Sequence, residues 1–475
     1  MAESRINLGE WMPDQPGLAG NLTEAKNVIP MGVGYGPFTS EVNLSQDASQ
    51  NILTVFAGKF AGTTTLFGAG ATKIFKFDST DATMDDVSRT ASAYTSTDRW
   101  SYTQFGRVII AANGTNKLQG WTLNSSANFA DLSASAPAAS FVTVVRDFVV
   151  AAKTASNANR VLWSDINDET NWTSGPTSQS DYQDIPDGGD VQGIRGGEFG
   201  IVFLERAIVR MSYIGAPLFF QFDTISRNLG CYESRSIVQF GPISYFLADD
   251  GFYACDGQNV IPIGAEKVDR FFFADANPSL INQMSSAVDP INSLVIWCYT
   301  NVFGSKSLLI YNWQTKKWTH ADTSADYIAT AASATITLEG LDAYGTMDSL
   351  STSLDSRLWA GGKVLLAGAD GAKIITYTGQ PKMADIETGD FQAGPQSIVK
   401  LARPQVDNGS AEVAVFSRNR LDTEVIFGAT TAASTENRVP LRSTGSYHRL
   451  KLVPTGNNWT HAVAIDVDIT PIGTR

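Results

Sequence analysis

Three histidines, His320, His448 and His461, are the only imidazoles in the chain, and all three fall late in it. Imidazole is a common zinc ligand and the usual general base near neutral pH. None of the three stands at a ligand spacing such as H-x3-H, so they read as ordinary hydrogen-bonded side chains, two of which can meet near the C-terminus. Carboxylates are denser. The run Asp181-Tyr182-Gln183-Asp184-Ile185-Pro186-Asp187-Gly188-Gly189-Asp190 carries four of them, and hard cations favour such oxygen clusters. Its register is not that of a D-x-D-x-D-G calcium loop, and a solvated loop is the expectation. Hydrolysis of a glycoside needs two carboxyl groups held a defined distance apart across a cleft. With 48 acidic residues in the chain, some pair always qualifies on paper, which singles out none. There is no G-x-S-x-G elbow, no P-loop and no G-x-G-x-x-G opening a helix. Gly193-Ile194-Arg195-Gly196-Gly197 reads as a turn between strands. The chain is therefore expected to have no catalytic residues, metal site or cofactor.

One further segment, Ser164-Asp165-Ile166-Asn167-Asp168-Glu169-Thr170-Asn171-Trp172, is similar to the Asp-box turns of sialidases. It lacks their Gly, spaces its Trp differently and has no second copy. The simpler reading is a structural turn in which Asp165 and Asp168 bond backbone amides while Trp163 and Trp172 pack between sheets.

The elements that must position these side chains are announced by a repeat. A short apolar run ends on an aromatic residue, a polar turn follows, and a second apolar run or a Trp closes the unit. Copies are Lys73-Ile74-Phe75-Lys76-Phe77-Asp78, Leu118-Gln119-Gly120-Trp121-Thr122-Leu123 and Gly251-Phe252-Tyr253-Ala254-Cys255-Asp256-Gly257. Two more are Leu309-Ile310-Tyr311-Asn312-Trp313-Gln314-Thr315-Lys316-Lys317-Trp318 and Lys373-Ile374-Ile375-Thr376-Tyr377-Thr378-Gly379. Units returning every ~40–60 residues signal an array of small sheets, each burying its faces on the next. An all-β chain with a propeller of six to eight blades is expected.

Strand candidates in the body are Ile52 to Phe56, Val108 to Ala112, Phe141 to Val145, Phe148 to Ala152, Gly200 to Leu204, Ile243 to Leu247, Leu294 to Tyr299 and Leu308 to Tyr311. Helix is expected only at Ala265 to Phe273 and near Leu338 to Leu354. Residues 1–50 are rich in Gly and Pro and read as an extended N-terminal arm, wrapped on its own body or clasped to a neighbour. Residues 51–385 form the propeller body. Residues 386–475 read as a C-terminal β-sandwich or platform, with strands at Val399 to Ala402, Ala411 to Phe416, Glu424 to Phe427, His448 to Val453 and Ala462 to Ile469.

At 475 residues the chain exceeds one ordinary core. It is 43 % hydrophobic and only 17 % charged, a globular composition whose surface relies on Ser, Thr, Asn and Gly. A net charge of −13 disfavours tight binding to nucleic-acid phosphates, which needs Lys and Arg to displace counterions. Met1-Ala2-Glu3-Ser4-Arg5-Ile6-Asn7 has no apolar core of signal-peptide length, and no run of ~18 apolar residues appears; neither export nor a membrane anchor is expected. Cys231, Cys255 and Cys298 are widely spaced in apolar runs and read as buried thiols of a chain folded in a reducing cytoplasm.

Arg438, Arg442, Arg449 and Arg475 recur among C-terminal strands that otherwise carry few charges. Arginine there suits bidentate pairing with carboxylates of a neighbouring subunit. With Tyr447, His448, Trp459 and His461 they make up the expected interface.

Several stretches together resemble the tail hub, or nozzle, proteins of short-tailed bacteriophages, also described as packaged-DNA stabilisation proteins. They are Asn27-Val28-Ile29-Pro30 with Gly34-Tyr35-Gly36-Pro37-Phe38, and Val161-Leu162-Trp163-Ser164-Asp165 through Asn171-Trp172. Next come Leu204-Glu205-Arg206-Ala207-Ile208-Val209-Arg210, Gly230-Cys231 and Ala248-Asp249-Asp250-Gly251-Phe252-Tyr253, then Leu354-Asp355-Ser356-Arg357-Leu358-Trp359-Ala360-Gly361-Gly362. The last are Gly445-Ser446-Tyr447-His448-Arg449, Trp459-Thr460-His461-Ala462 and Gly473-Thr474-Arg475. Their order over nearly the whole length carries the resemblance. The chain departs from the family pattern at Ser446, where an Arg is expected.

The resemblance implies a non-enzymatic virion component: a homohexameric ring below the portal and adaptor that extends the DNA-exit channel, retains the genome and seats the tail needle, tip or fibre. Such a protein is made in the host bacterial cytoplasm. Double-stranded DNA would pass without tight binding, and carboxylates such as Asp249 and Asp250 would face the lumen, since an acidic wall repels phosphates. The alternatives are a propeller adhesin that binds host glycan through exposed aromatic loops, and a propeller glycosidase.

Overall fold

The computed structural model describes residues 3–90, 93–97, 99–334, 336–337, 339–346, 350 and 353–472. Six antiparallel meanders of four strands and a seventh of three follow one another, spanning 52–86, 101–131, 139–184, 191–226, 238–262, 285–322 and 327–376. They are blades 1 to 7 of a β-propeller. Blade 7 draws three strands from its own span and its fourth, Val42–Asn43, from the N-terminal region, with Asn43 opposite Ile375 and Val42 opposite Thr376. Borrowing a strand from the far end of the chain latches the ring and leaves blade 7 with no short side.

The repeated units of the sequence are the third strands of blades. Ile74–Phe77, Gln119–Thr122, Phe252–Cys255, Lys306–Asn312 and Lys373–Thr376 each occupy that place. Their aromatic residues recur because large side chains are needed to fill the wedge between neighbouring blades. Trp121 of blade 2 meets Phe67 of blade 1 with ring centres 5.5 Å apart. Trp163 of blade 3 meets Phe220 of blade 4 at 5.1 Å, and Phe252 of blade 5 meets Trp297 of blade 6 at 4.6 Å.

The innermost strand of each blade has an edge with no ladder partner, and its polar groups must be answered otherwise. Side chains do so across the blade boundaries. Gln104 bonds both the N–H and the C=O of Lys59, at 3.0 and 2.8 Å. Val142 N–H donates to Ser101 at 3.1 Å, Gln239 donates to Gly196 C=O at 2.8 Å, and Val288 N–H donates to Thr330 at 2.7 Å.

The C-terminal region is a sandwich of two sheets, one of them shared with the propeller. Beyond the four strands of blade 6, that sheet continues through Glu24–Lys26, Asp385–Glu387, Tyr447–Thr455, Ser410–Arg418 and Thr431–Ala432 to make nine strands. The joint is a parallel pairing of Lys26 with His320. The facing sheet has six strands built around His461–Pro471 and Ser397–Asp407. One buried cluster runs through the joint, from Trp297 and Trp318 of blade 6 through Trp11, Ala25 and Tyr35 to Leu450 and Ile465.

The N-terminal segment is wrapped on the body of its own chain. Its strands Glu3–Asn7, Val28–Pro30 and Tyr35–Pro37 belong to the six-stranded sheet, Glu24–Lys26 to the nine-stranded one and Val42–Asn43 to blade 7. The Gly- and Pro-rich turns let one short stretch cross between three sheets. Glu424 to Phe427, expected as a strand, has no regular structure. The α-helix near Ala265 is Asp269–Asp275, later than expected. Of the second expected helix, Glu339–Tyr344 forms a 3-10 turn; Leu338, 347–349 and 351–352 lie outside the described residues. Among the described residues no helix is long and apolar enough to cross a membrane.

Candidate functional site: the propeller axis and the sandwich interior

Residues from all seven inner edges line a cavity of about 430 Å3 on the propeller axis. None of the lining residues is Asp, Glu or Lys; three are arginines, Arg99, Arg195 and Arg235. Arg195 ends the inner strand Val191–Arg195 of blade 4, which is bulged between Val191 and Gly193. Gly193 is needed at that point, because a Cβ there would sit 2.5 Å from the Ile237 side chain of blade 5. The expected turn over Gly193 to Gly197 is thus strand as far as Arg195, with Gly196 at its end. The Arg195 guanidinium donates to the carbonyls of Ile194, at 3.1 Å, and Ile237. It makes no ion pair among the described residues. Burial, reinforced by repulsion from Arg99, pulls it below the ordinary arginine value despite the opposing influence of Tyr102 and Cys231. Arg99 donates to Ser234 and, at 3.3 Å, to Glu233. Arg235 lies 5.2 Å from the centre of the Tyr327 ring.

The cavity is of small-molecule size. It admits no duplex, whose major groove alone is about 12 Å wide. With no carboxylate in its lining, it also lacks the acid–base pair a glycosidase needs.

A buried ion-pair group lies on the outer face of the sandwich's nine-stranded sheet, where Gly17 covers Asp390 and Arg449. Asp390 accepts from Arg418 at 2.5 Å and Arg449 at 2.8 Å, with the three side chains only 2, 9 and 14 % exposed. On the opposite, inner face of the same strand His448 is fully buried, its two ring nitrogens 2.7 Å from Ser397 and Ser417. Burial lowers its pKa, so the ring stays neutral. Ser397 and His448 are both 0 % exposed, and no substrate can reach a hydroxyl so enclosed.

This placement corrects three interface expectations. His448 and Trp459 are core residues, the latter 2 % exposed. Arg449 answers a carboxylate of its own chain. Tyr447–Thr455 alternates inward and outward residues: His448 points inward to Ser397 and Ser417, and Arg449, on the opposite face, reaches Asp390. Arg438 is exposed and pairs with Glu436 at 3.3 Å. Arg442 is exposed, while Tyr447 and His461 are half-buried. Arg475 lies outside the described residues.

Asp249 and Asp250 are exposed in the turn between the second and third strands of blade 5 and do not line the axial cavity. Asp250 accepts from the Tyr253 hydroxyl at 2.8 Å, and burial and that bond push Tyr253 up to about 12. In the Trp163 to Trp172 segment, Asp165 accepts from the N–H groups of Ile166 and Gln179, both at 2.9 Å. Trp163 donates to Gln179 C=O and Trp172 to Glu169 C=O, each at 2.8 Å. These are turn-forming contacts. Asp181–Asp184 is the outer strand of blade 3, and Asp184 is held below the usual carboxylate range by Arg160. His320 contacts Glu24 and stacks on Trp11 with ring centres 4.9 Å apart. Among the described residues no three His, Cys, Asp or Glu side chains are grouped to hold a metal ion. The three thiols are free and buried, and burial pushes Cys231 and Cys298 up to about 12.

Two features carry no signal in the sequence. The axial arginines come from three blades and share no motif; only their position at inner-strand ends, once blades are assigned, would have marked them. The other is Asp269. Burial, together with Asp14 and Asp250, pushes its carboxyl up to about 6, although it accepts from Phe252 N–H at 3.1 Å. Gly251 and Gly264 close over it, and a Cβ at either position would run into the carboxylate.

The strand pairing defines the class: an all-β protein, a seven-bladed β-propeller sharing one sheet with a β-sandwich. Neither a protein-family model nor a curated protein matches the chain. Two solved structures are similar at low level. The computationally designed Ika8 protein has a TM-score of 0.39 and 10 % identity over 78 % of this chain and 100 % of its own. A chain of the Mitotic Checkpoint Complex has a TM-score of 0.41 and 8 % identity over 72 % of this chain and 94 % of its own.

Proposed function

We propose that the chain is a structural nozzle or hub subunit of a short-tailed phage tail, acting as a ring of six around the DNA-exit channel. The observation that carries this reading is the nine-stranded sheet. A sheet that runs unbroken from blade 6 into the sandwich joins the two parts as one stiff body, which suits a component that bears load between neighbours. The family resemblance points the same way.

The axial cavity is too small for a duplex, so the conduit runs between subunits and not through each propeller. Its wall is the outer surface of a chain with net charge −13. An acidic wall passes DNA without holding it, because no counterions are displaced by bound cations. In a closed ring each subunit offers two different faces to its neighbours. Exposed Arg438 and Arg442 remain suited to such a contact, and the adaptor and tail tip would occupy the two ends.

Sedimentation of the purified chain, alone and with the cognate adaptor ring, tests the proposal. A hexamer in either sample supports it. A monomer in both, with saturable binding to host glycan, would replace it with an adhesin, and release of reducing sugar would replace it with a glycosidase.

A further inference from the structure

We propose that the axial cavity of the propeller is a binding site for a tetrahedral oxyanion, represented by inorganic phosphate, with Arg195 and Tyr102 as its principal donors and Arg235 at its rim. The proposal is independent of the phage-tail reading.

Charge is the first ground. The cavity gathers three guanidinium groups in a chain that is acidic overall, with no carboxylate in its lining; Arg99 is answered from behind by Glu233, 3.3 Å away, and Arg195 by no carboxylate among the described residues. A guanidinium taken out of water is retained at a cost unless an anion answers it. For Arg195 no side chain of the protein does so; its protein acceptors are the two carbonyls of Ile194 and Ile237. Those bonds use two of the five N–H donors of the group and hold its plane fixed against blade 5. The remaining donors are spare, in the planar arrangement that matches a phosphate edge.

The second ground is Tyr102. Its ring is clamped by Phe56, with ring centres 4.7 Å apart, and it lines the same cavity as Arg195. Its hydroxyl has no hydrogen-bond partner among the described residues. Burial raises its pKa, so the phenol stays neutral and keeps its proton to donate. A neutral donor beside an unanswered cation, with no acceptor supplied, is the complement of an anion carrying several acceptor oxygens. Phosphate fits better than a carboxylate because the donors come from different blades around the axis, and four oxygens reach more of them than two.

The experiment is calorimetric titration of the full chain with sodium phosphate against sodium chloride at equal ionic strength, with sodium acetate as a third arm. Saturable binding of phosphate, absent with chloride and weaker with acetate, is expected. Removing a charge-assisted donor in Arg195→Gln should weaken phosphate binding by about 10-fold or more, and losing one neutral hydroxyl in Tyr102→Phe by about 2- to 10-fold. Circular dichroism melting establishes that each variant is folded. Should Arg195→Gln not fold, Tyr102→Phe decides alone. No saturable phosphate binding by the wild-type chain would overturn the proposal, as would unchanged affinity in folded Tyr102→Phe or Arg195→Gln. Acetate binding tighter than phosphate would overturn the tetrahedral class.

Discussion

The covered outer face of the sandwich and the propeller axis both enclose arginines and treat them in opposite ways. In the sandwich, Arg418 and Arg449 converge on Asp390, and the ion pairs are sealed inside the protein. On the axis, Arg195 has only backbone carbonyls. The space around Asp390 is closed, so each charge there must be balanced when the chain folds. The axial cavity has three arginines and no carboxylate in its lining, so a charge there is left for something outside the chain. Charge balance therefore separates a region built for internal cohesion from one with capacity to spare.

The contrast depends first on the shared sheet that joins the two regions. Ala25 is fully buried in the strand linking blade 6 to the sandwich. Ala25→Asp places an unpaired charge in the joint, and a loss above about 4 kcal/mol is expected. Calorimetry should show the single unfolding transition split in two; one unchanged transition would mean that the joint does not couple the regions. Asp390→Asn comes next. It leaves two enclosed guanidinium groups facing a neutral amide, and urea unfolding should report a loss of about 3–5 kcal/mol.

A smaller effect concerns pH. Asp269 titrates near 6 in the folded protein against 3.8 for an ordinary Asp. The folded state thus holds its proton more tightly, and the stability this gives is complete below about pH 4 and lost as pH rises to about 6. His448 acts in the opposite direction: its lowered pKa means that stability falls as pH drops below about 6.5. Asp269→Asn should remove the loss between pH 4 and 6, gain roughly 1–2 kcal/mol at pH 7 after solvent screening, and leave the His448 limb. Melting temperatures across pH 4–8 check this. Smallest of all is Arg195→Met, which removes an unanswered cation and should change stability by less than about 1 kcal/mol in the same urea assay. A loss as large as that of Asp390→Asn would erase the distinction between the two regions.

The blades were legible in the sequence because their third strands carry large aromatic residues at a regular interval, as Trp121 and Phe252 do. Strand runs such as Val108–Ala112 and Gly200–Leu204 were readable in full, being β-rich and bounded by turn residues. The path of the first 50 residues was not. Strands of two or three residues, such as Val42–Asn43, have no periodicity to read and exist only because a distant edge waits for them. His448 and Arg449 misled for a related reason. A polar residue on a half-buried strand signals an interface only if no partner lies inside, and Ser397, Ser417 and Asp390 are distant in sequence. The axial arginines were invisible because convergence on an axis is a property of the closed ring.

Electron micrographs of the purified chain bound to its adaptor ring test the central claim most directly. Class averages should show a sixfold annulus whose central opening, between subunits, is wide enough for duplex DNA. Averages showing single propellers with no common opening would contradict it.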